Sequence, residues 1–251
     1  MNKDFIRQII NVLAVVVMIT INILANALPI NGQNTGEISD RFQVYFVPAG
    51  YVFAIWGIIY IGWIVFAIFQ FRRDQKESPR LRRLGYLFAG SNLFNAVWLF
   101  TWHYNFFGLS VLVMLSLLAL LIASYLRLNV NRSSAKGAEW WSVDLPISIY
   151  LGWITVATVA NITSWLYSIE WNGFGIPAPI WAVVMIIVAS VVGFLVTLTR
   201  KDAGYVFVLV WSFIGIAVKQ VGVAPVATIA WIGAGLMLIL AVYSLVRRQT
   251  V

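Results

Sequence analysis

No charged side chain falls in the middle of any long apolar run in this chain, and that pattern leaves it few ways to fold. Backbone polar groups in hydrocarbon must be satisfied within the protein, which restricts a spanning chain to helices or a closed barrel. Unbroken apolar runs of about 20 residues favour helices, because barrel strands alternate in character. Eight segments qualify, at roughly 5–28, 48–71, 84–102, 107–127, 145–167, 179–199, 203–221 and 225–246. With eight spans, fifteen of the seventeen Lys and Arg residues fall on one side, and only Arg41 and Lys219 on the other. Basic loops stay in the cytoplasm, so both termini are expected there, in a chain resident in the cell membrane.

Composition agrees with that reading. Charged residues make up 10% of the chain, against about 25% in soluble proteins. The net charge of +8 is scattered through the loops, which suits a rim facing anionic lipid headgroups rather than nucleic acid. The first apolar stretch is longer than the core of a secretion signal and lacks a small-residue cleavage site, so it is expected to remain as a span. With no Cys, disulfides, thiolate chemistry and Cys-bound metals are excluded. All nine carboxylates lie in loops or at span ends, which argues against an acid-driven proton relay inside the membrane.

What remains for the interior is aromatic and amide chemistry. The chain has 12 Trp, and several sit near span ends as interface anchors do: Trp63, Trp140, Trp141, Trp165, Trp171 and Trp181. Others recur at helical spacing within spans. Trp56 and Tyr60 share a face of the second span, and Asn95, Trp98 and Trp102 share a face of the third. Trp153, Ala157 and Asn161 are each four apart in the fifth, while the first carries Asn11, Asn22 and Asn26. Amides in lipid must turn inward and find partners. These residues therefore serve either as interhelical hydrogen bonds or as the lining of a shared cavity for a flat, apolar ligand. The loop from Pro29 to Val47, turn-rich at first and then aromatic (Phe42, Tyr45, Phe46), is either an interfacial belt or a lid. His103, the single His, reads as an interfacial hydrogen-bonding residue before a haem ligand. Lys219 reads as a snorkelling lysine before a Schiff base, since no intramembrane acid could serve as its counter-ion.

Three segments carry a family resemblance. Pro48-x7-Trp56-x3-Tyr60, Asn95-Ala96-Val97-Trp98 and Trp153-x3-Ala157-Thr158-x2-Asn161 occur in that order on spans two, three and five. They resemble the motifs of the TspO/translocator (tryptophan-rich sensory protein) family over about residues 1–168. The resemblance implies an all-α integral membrane fold, a TspO-like five-helix bundle here extended to eight transmembrane helices by residues 169–251. It also implies a pocket formed by Trp56, Tyr60, Asn95, Trp98, Trp153, Ala157 and Asn161, taking a tetrapyrrole such as haem or protoporphyrin as ligand, with no resident cofactor or metal required. Binding, sensing or transport follows from it, and so does the alternative of a porphyrin-degrading enzyme using Trp56. A secondary transporter of an unrelated small solute is a further alternative. The chain departs from the family in its lid sequence, in Pro146 standing seven rather than four residues before Trp153, and in lacking the sterol-associated end of span five. The glycines of the last three spans (Gly193, Gly204, Gly215, Gly222, Gly233, Gly235) suit close packing, against the core or against a second copy in a homodimer.

Overall fold

The computed structural model describes residues 3–28 and 30–248; Pro29, the first residue of the long loop, and the extreme ends of the chain lie outside the described residues. Among the described residues there are helices and no strands, and a long helix occupies each of the eight apolar segments. These are α1 (Lys3–Ala27), α2 (Ile55–Phe69), α3 (Leu87–His103), α4 (Phe107–Arg127), α5 (Leu145–Ser168), α6 (Ala178–Arg200), α7 (Ala203–Lys219) and α8 (Ala224–Arg248). Six stretches are long and apolar enough to cross a membrane, those containing α1, α2, α4, α5, α6 and α8. The protein is thus an all-helical integral membrane protein. The other two helices, α3 and α7, have 17 residues each, or about 26 Å of rise, slightly under the ~30 Å of a hydrocarbon core.

Local chemistry sets the helix ends. After α3, α4 and α5 the chain turns through a left-handed residue, Asn105, Asn129 and Glu170 respectively. In each case the following N–H reaches back five residues: Phe106 to Thr101, Val130 to Tyr125, Trp171 to Leu166. That is the Schellman arrangement, which satisfies carbonyls otherwise orphaned at a helix end. Asn adopts this backbone readily, whereas Glu170 does so at a cost. At its start, α7 is capped by Asp202, whose carboxylate accepts from Tyr205 N–H at 3.2 Å.

The chain divides into two compact units that interleave in sequence. The first runs up to Ile38 and resumes over Trp56–Leu151. In it α1 and α4 pack on α3, around an aromatic core of Trp63, Phe66, Phe88 and Tyr150, all essentially buried. Trp63 meets Phe88 edge-on at 4.7 Å and Tyr150 at 5.3 Å. Gly62 lets Pro146 come close, since a Cβ there would lie 2.9 Å from the proline ring.

Charge is buried in this unit, at the end that carries the basic loops. Arg80 donates to Leu128 O and Glu139 Oε1, both at 2.9 Å, and to Asp144 Oδ1. A π-helical turn over Trp140–Asp144 introduces α5 and carries Asp144 into this contact. Asp4 accepts from Arg7 at 2.8 Å and from Arg82 at 2.5 Å. Gln70 and Gln8 exchange hydrogen bonds between side chain and backbone, and Asn11 donates to Gln70 Oε1 at 3.0 Å.

The second unit comprises Ser39–Ile55 and the chain from Gly152 onward. Here α6 and α8 pack on α7, and Gly193 permits it: a Cβ there would lie 2.7 Å from both Leu209 and Met237. Of the other glycines read as packing residues, Gly222 and Gly235 face open space. Segment 39–55 docks on α7 at several points. Ala49 N–H donates to Gly215 O at 3.0 Å, and Trp211 Nε1 to Val52 O at 3.0 Å. A Cβ on Gly215 would run into Val52 and Pro48. Lys219 Nζ donates to Asp40 at 2.8 Å, so this lysine is paired at the protein surface.

Arg80→Met should lower stability by about 3 kcal/mol, because it leaves Asp144 as a buried carboxylate without its counter-ion. Arg80→Met combined with Asp144→Leu should recover most of that loss, with detergent-phase thermal unfolding as the measurement.

Candidate functional site

Four of the seven expected pocket residues lie in the first unit, where a chain of hydrogen bonds runs through four helices. Asn95, on α3, has no exposed surface. Its Oδ1 accepts from Asn22 Nδ2 of α1 at 2.7 Å, and its Nδ2 donates to Tyr150 Oη of α5 at 2.8 Å. Asn22 also donates to Met18 O at 2.9 Å and accepts from Tyr60 Oη of α2 at 2.9 Å. The amides thus act as interhelical links in this unit, one of the two roles their spacing allowed.

Aromatic rings extend from that chain. Trp56 lies one turn before Tyr60 and stacks on it, with centroids 5.8 Å apart and planes inclined by 26°. It also meets Tyr150 edge-on, at 6.0 Å. Trp56 and Tyr60 are both half-buried, so the stacked pair offers surface at the end of a fixed network. Trp98 is buried and stacks on Trp102 at 5.7 Å and 20°. Phe107 meets Trp102 edge-on at 5.3 Å.

His103 closes the same helix. Its Nε2 lies 2.9 Å from Thr35 Oγ1 and its Nδ1 3.1 Å from Ile30 O. Asn31 Nδ2 donates to the His103 carbonyl at 3.0 Å. Both ring nitrogens therefore hold the first part of the long loop, in keeping with a hydrogen-bonding histidine.

Trp153, Ala157 and Asn161 belong to the second unit. Trp153 is buried, edge-on to Phe53 at 5.6 Å. Asn161 is buried and Ala157 half-buried. Nearby on α5, Thr155 accepts from Tyr205 Oη of α7 at 3.2 Å.

A cavity of about 400 Å³ opens elsewhere in the second unit, between residues 43–46, the end of α5 and the start of α6. Tyr45, Phe46, Thr163, Tyr167, Trp171 and Trp181 are among its walls. None of the seven expected residues is. Trp171 and Trp181 were expected only as interface anchors, and only their pairing across a turn, at 5.5 Å, distinguishes them. Tyr150, the acceptor of the Asn95 amide, was also missed; its one signal is a position one turn before Trp153 on a Trp-bearing helix.

Tyr150→Phe should keep the ring packing around Trp63 but strip Asn95 Nδ2 of its acceptor. The expected loss is about 1–2 kcal/mol, read as a lower unfolding midpoint in detergent.

The all-helical membrane fold agrees with what comparison of the whole chain finds. The TSPO-like protein family matches residues 8–243, continuing through the three helices that follow residue 168. No curated protein and no solved structure matches the chain. With nearly its full length matched, the protein belongs to the TSPO-like family of integral membrane proteins.

Proposed function

We propose that the protein binds a flat, largely apolar ligand of the tetrapyrrole class within the membrane, and senses it or moves it across. The observation that carries the reading is the half-buried Trp56–Tyr60 stack, anchored by the Asn22–Asn95–Tyr150 chain. A fixed aromatic surface loses little freedom on meeting a flat ligand, and stacking adds about 0.5–1.5 kcal/mol beyond burial. The binding residues in this reading are Trp56, Tyr60, Asn95, Trp98, Trp153, Ala157 and Asn161. Haem or protoporphyrin enters as ligand rather than resident cofactor. Because both nitrogens of His103 are engaged, the macrocycle would be held by stacking and hydrogen bonds, without axial ligation by that residue.

In the same reading all eight long helices cross the membrane of the cell, residues 1–168 form the five-span core and 169–251 add three spans, with both termini in the cytoplasm. α3 and α7 reach across despite their length through the apolar turns next to them and slight local thinning of the bilayer.

Trp56→Ala and Trp153→Ala should each weaken protoporphyrin IX binding by roughly tenfold in fluorescence-quenching titrations; native affinity in both would sink the assignment. Illumination of the complex separates binding from chemistry. Porphyrin absorption that fades only when Trp56 is present favours a degrading enzyme, and stable bands favour binding.

The span count has its own test, made simple by the absence of Cys. Single cysteines at Asp74, Ser133 and Lys201 should resist a membrane-impermeant maleimide in intact cells. Those at Gln33, Asn105, Asn172 and Gly222 should react. Protection at Asn105 or Gly222 would show that α3 or α7 does not cross.

A further inference from the structure

The cavity of the second unit is built like a binding site, and its chemistry differs from that of the proposed tetrapyrrole site. Its walls are Tyr45 and Phe46 from the loop, Thr163 and Tyr167 from α5, and Trp171 and Trp181 around the start of α6. No Asp, Glu, Lys, Arg or His lines it, so a full charge on the occupant would go uncompensated. Some of the lining polar groups are already used. Trp181 Nε1 donates to Gly173 O at 3.0 Å, Thr163 Oγ1 donates to Val159 O and Ala160 O, and Asn172 Oδ1 accepts from Phe174 N–H. The Tyr45 and Tyr167 phenols, the Trp171 indole N–H and the amides of Gln43 and Asn172 are the other side-chain groups of the lining that can recognise a polar group.

The rim is held in a costly shape. Between Glu170 and Gly175 four residues take left-handed backbone: Glu170, Gly173, Phe174 and Gly175. Phe174 does so while 79% exposed, so burial of its own side chain offsets none of the strain. Such outliers persist where the surroundings impose them, and they cluster at ligand sites. Here the Asn172 cap and the Trp181–Gly173 bond impose the shape, and a Cβ on Gly173 would lie 3.3 Å from Trp181 Nε1. The rim is therefore shaped in advance of any ligand.

We propose that this cavity is a second ligand site, taking an uncharged small molecule with a flat fused-ring body and one hydrogen-bonding group. At about 400 Å³ it lies low in the roughly 300–1,000 Å³ range of ligand pockets, which suits about two to four fused rings rather than a tetrapyrrole macrocycle. The ring body lies against Tyr45, Trp171 and Trp181, and the polar group meets the Tyr45 or Tyr167 hydroxyl. The site uses none of the residues assigned to the tetrapyrrole, so either assignment can fail alone.

The test uses the full chain in detergent with pyrenemethanol, an uncharged fused-ring alcohol, and reads saturable energy transfer from Trp to pyrene. Ala178→Trp, at an exposed position on the cavity wall, should block entry and weaken binding at least tenfold. Tyr45→Phe, which keeps the ring, should weaken it about fivefold through the lost hydrogen bond. Trp153→Ala should leave pyrenemethanol binding unchanged. Native affinity in both Ala178→Trp and Tyr45→Phe would overturn the proposal. So would displacement of the probe by dioleoylphosphatidylcholine with no loss in Tyr45→Phe, which would make the cavity a groove for lipid chains.

Discussion

A side-chain amide in hydrocarbon has no water to fall back on, so it pairs with protein or costs several kcal/mol. Asn95 sits where that rule is strictest, with no exposed surface, and both ends of its amide are met from other helices. Asn95 on α3 thereby joins Asn22 of α1 to Tyr150 of α5, and Asn22 accepts from Tyr60 of α2, so two linked amides tie four helices together. The aromatic core packs beside that chain, with Tyr150 contributing its hydroxyl to the network and its ring to Trp63. Hydrogen bonds of this kind in membranes are individually modest, about 0.6 kcal/mol on average. Their value here is directional: an apolar ring cluster tolerates many arrangements, and the amide chain selects one.

The same rule governs the ends of the helices, where charge replaces amides. Arg80 answers Asp144, Glu139 and the terminal carbonyl at Leu128 together. A guanidinium suits this role because its donors are arrayed in a rigid fork. The π-helical turn at Trp140–Asp144 ends on the aspartate that meets the arginine. Arg80, Asp144 and Glu139 thus form one charged cluster within the first unit.

Much of the fold was legible in the chain because the bilayer imposes a simple code. Apolar runs of spanning length marked every long helix, and loop charge sorted them. Motif spacing pointed to Trp56, Tyr60 and Asn95, and the structure joins Tyr60 to Asn95 through Asn22. What stayed hidden depends on contacts distant in sequence. Nothing local announces that Arg80 and Asp144, 64 residues apart, meet in the interior. The loop from 29 to 47 looked like one element, yet its first part is held by His103 and its second part belongs to the other unit. Trp171 and Trp181 look like any interfacial tryptophans until the left-handed turns from Glu170 to Gly175 are known, and Glu and Phe are poor advertisements for such turns.

The docking of segment 39–55 on α7 has a consequence for how the protein is made. Trp211 and Val52 are joined across 159 residues of chain, and Gly215 meets Pro48 and Val52 too closely for any side chain to intervene. A ribosome adding about 5–20 residues per second delivers α7 roughly ten to thirty seconds after the segment it must receive. Throughout that interval an aromatic stretch with unspent backbone donors waits at the membrane surface. The second unit therefore cannot close helix by helix as it emerges; its assembly is deferred to the end of synthesis, and a nascent chain stalled before α7 would present that stretch to whatever binds exposed segments.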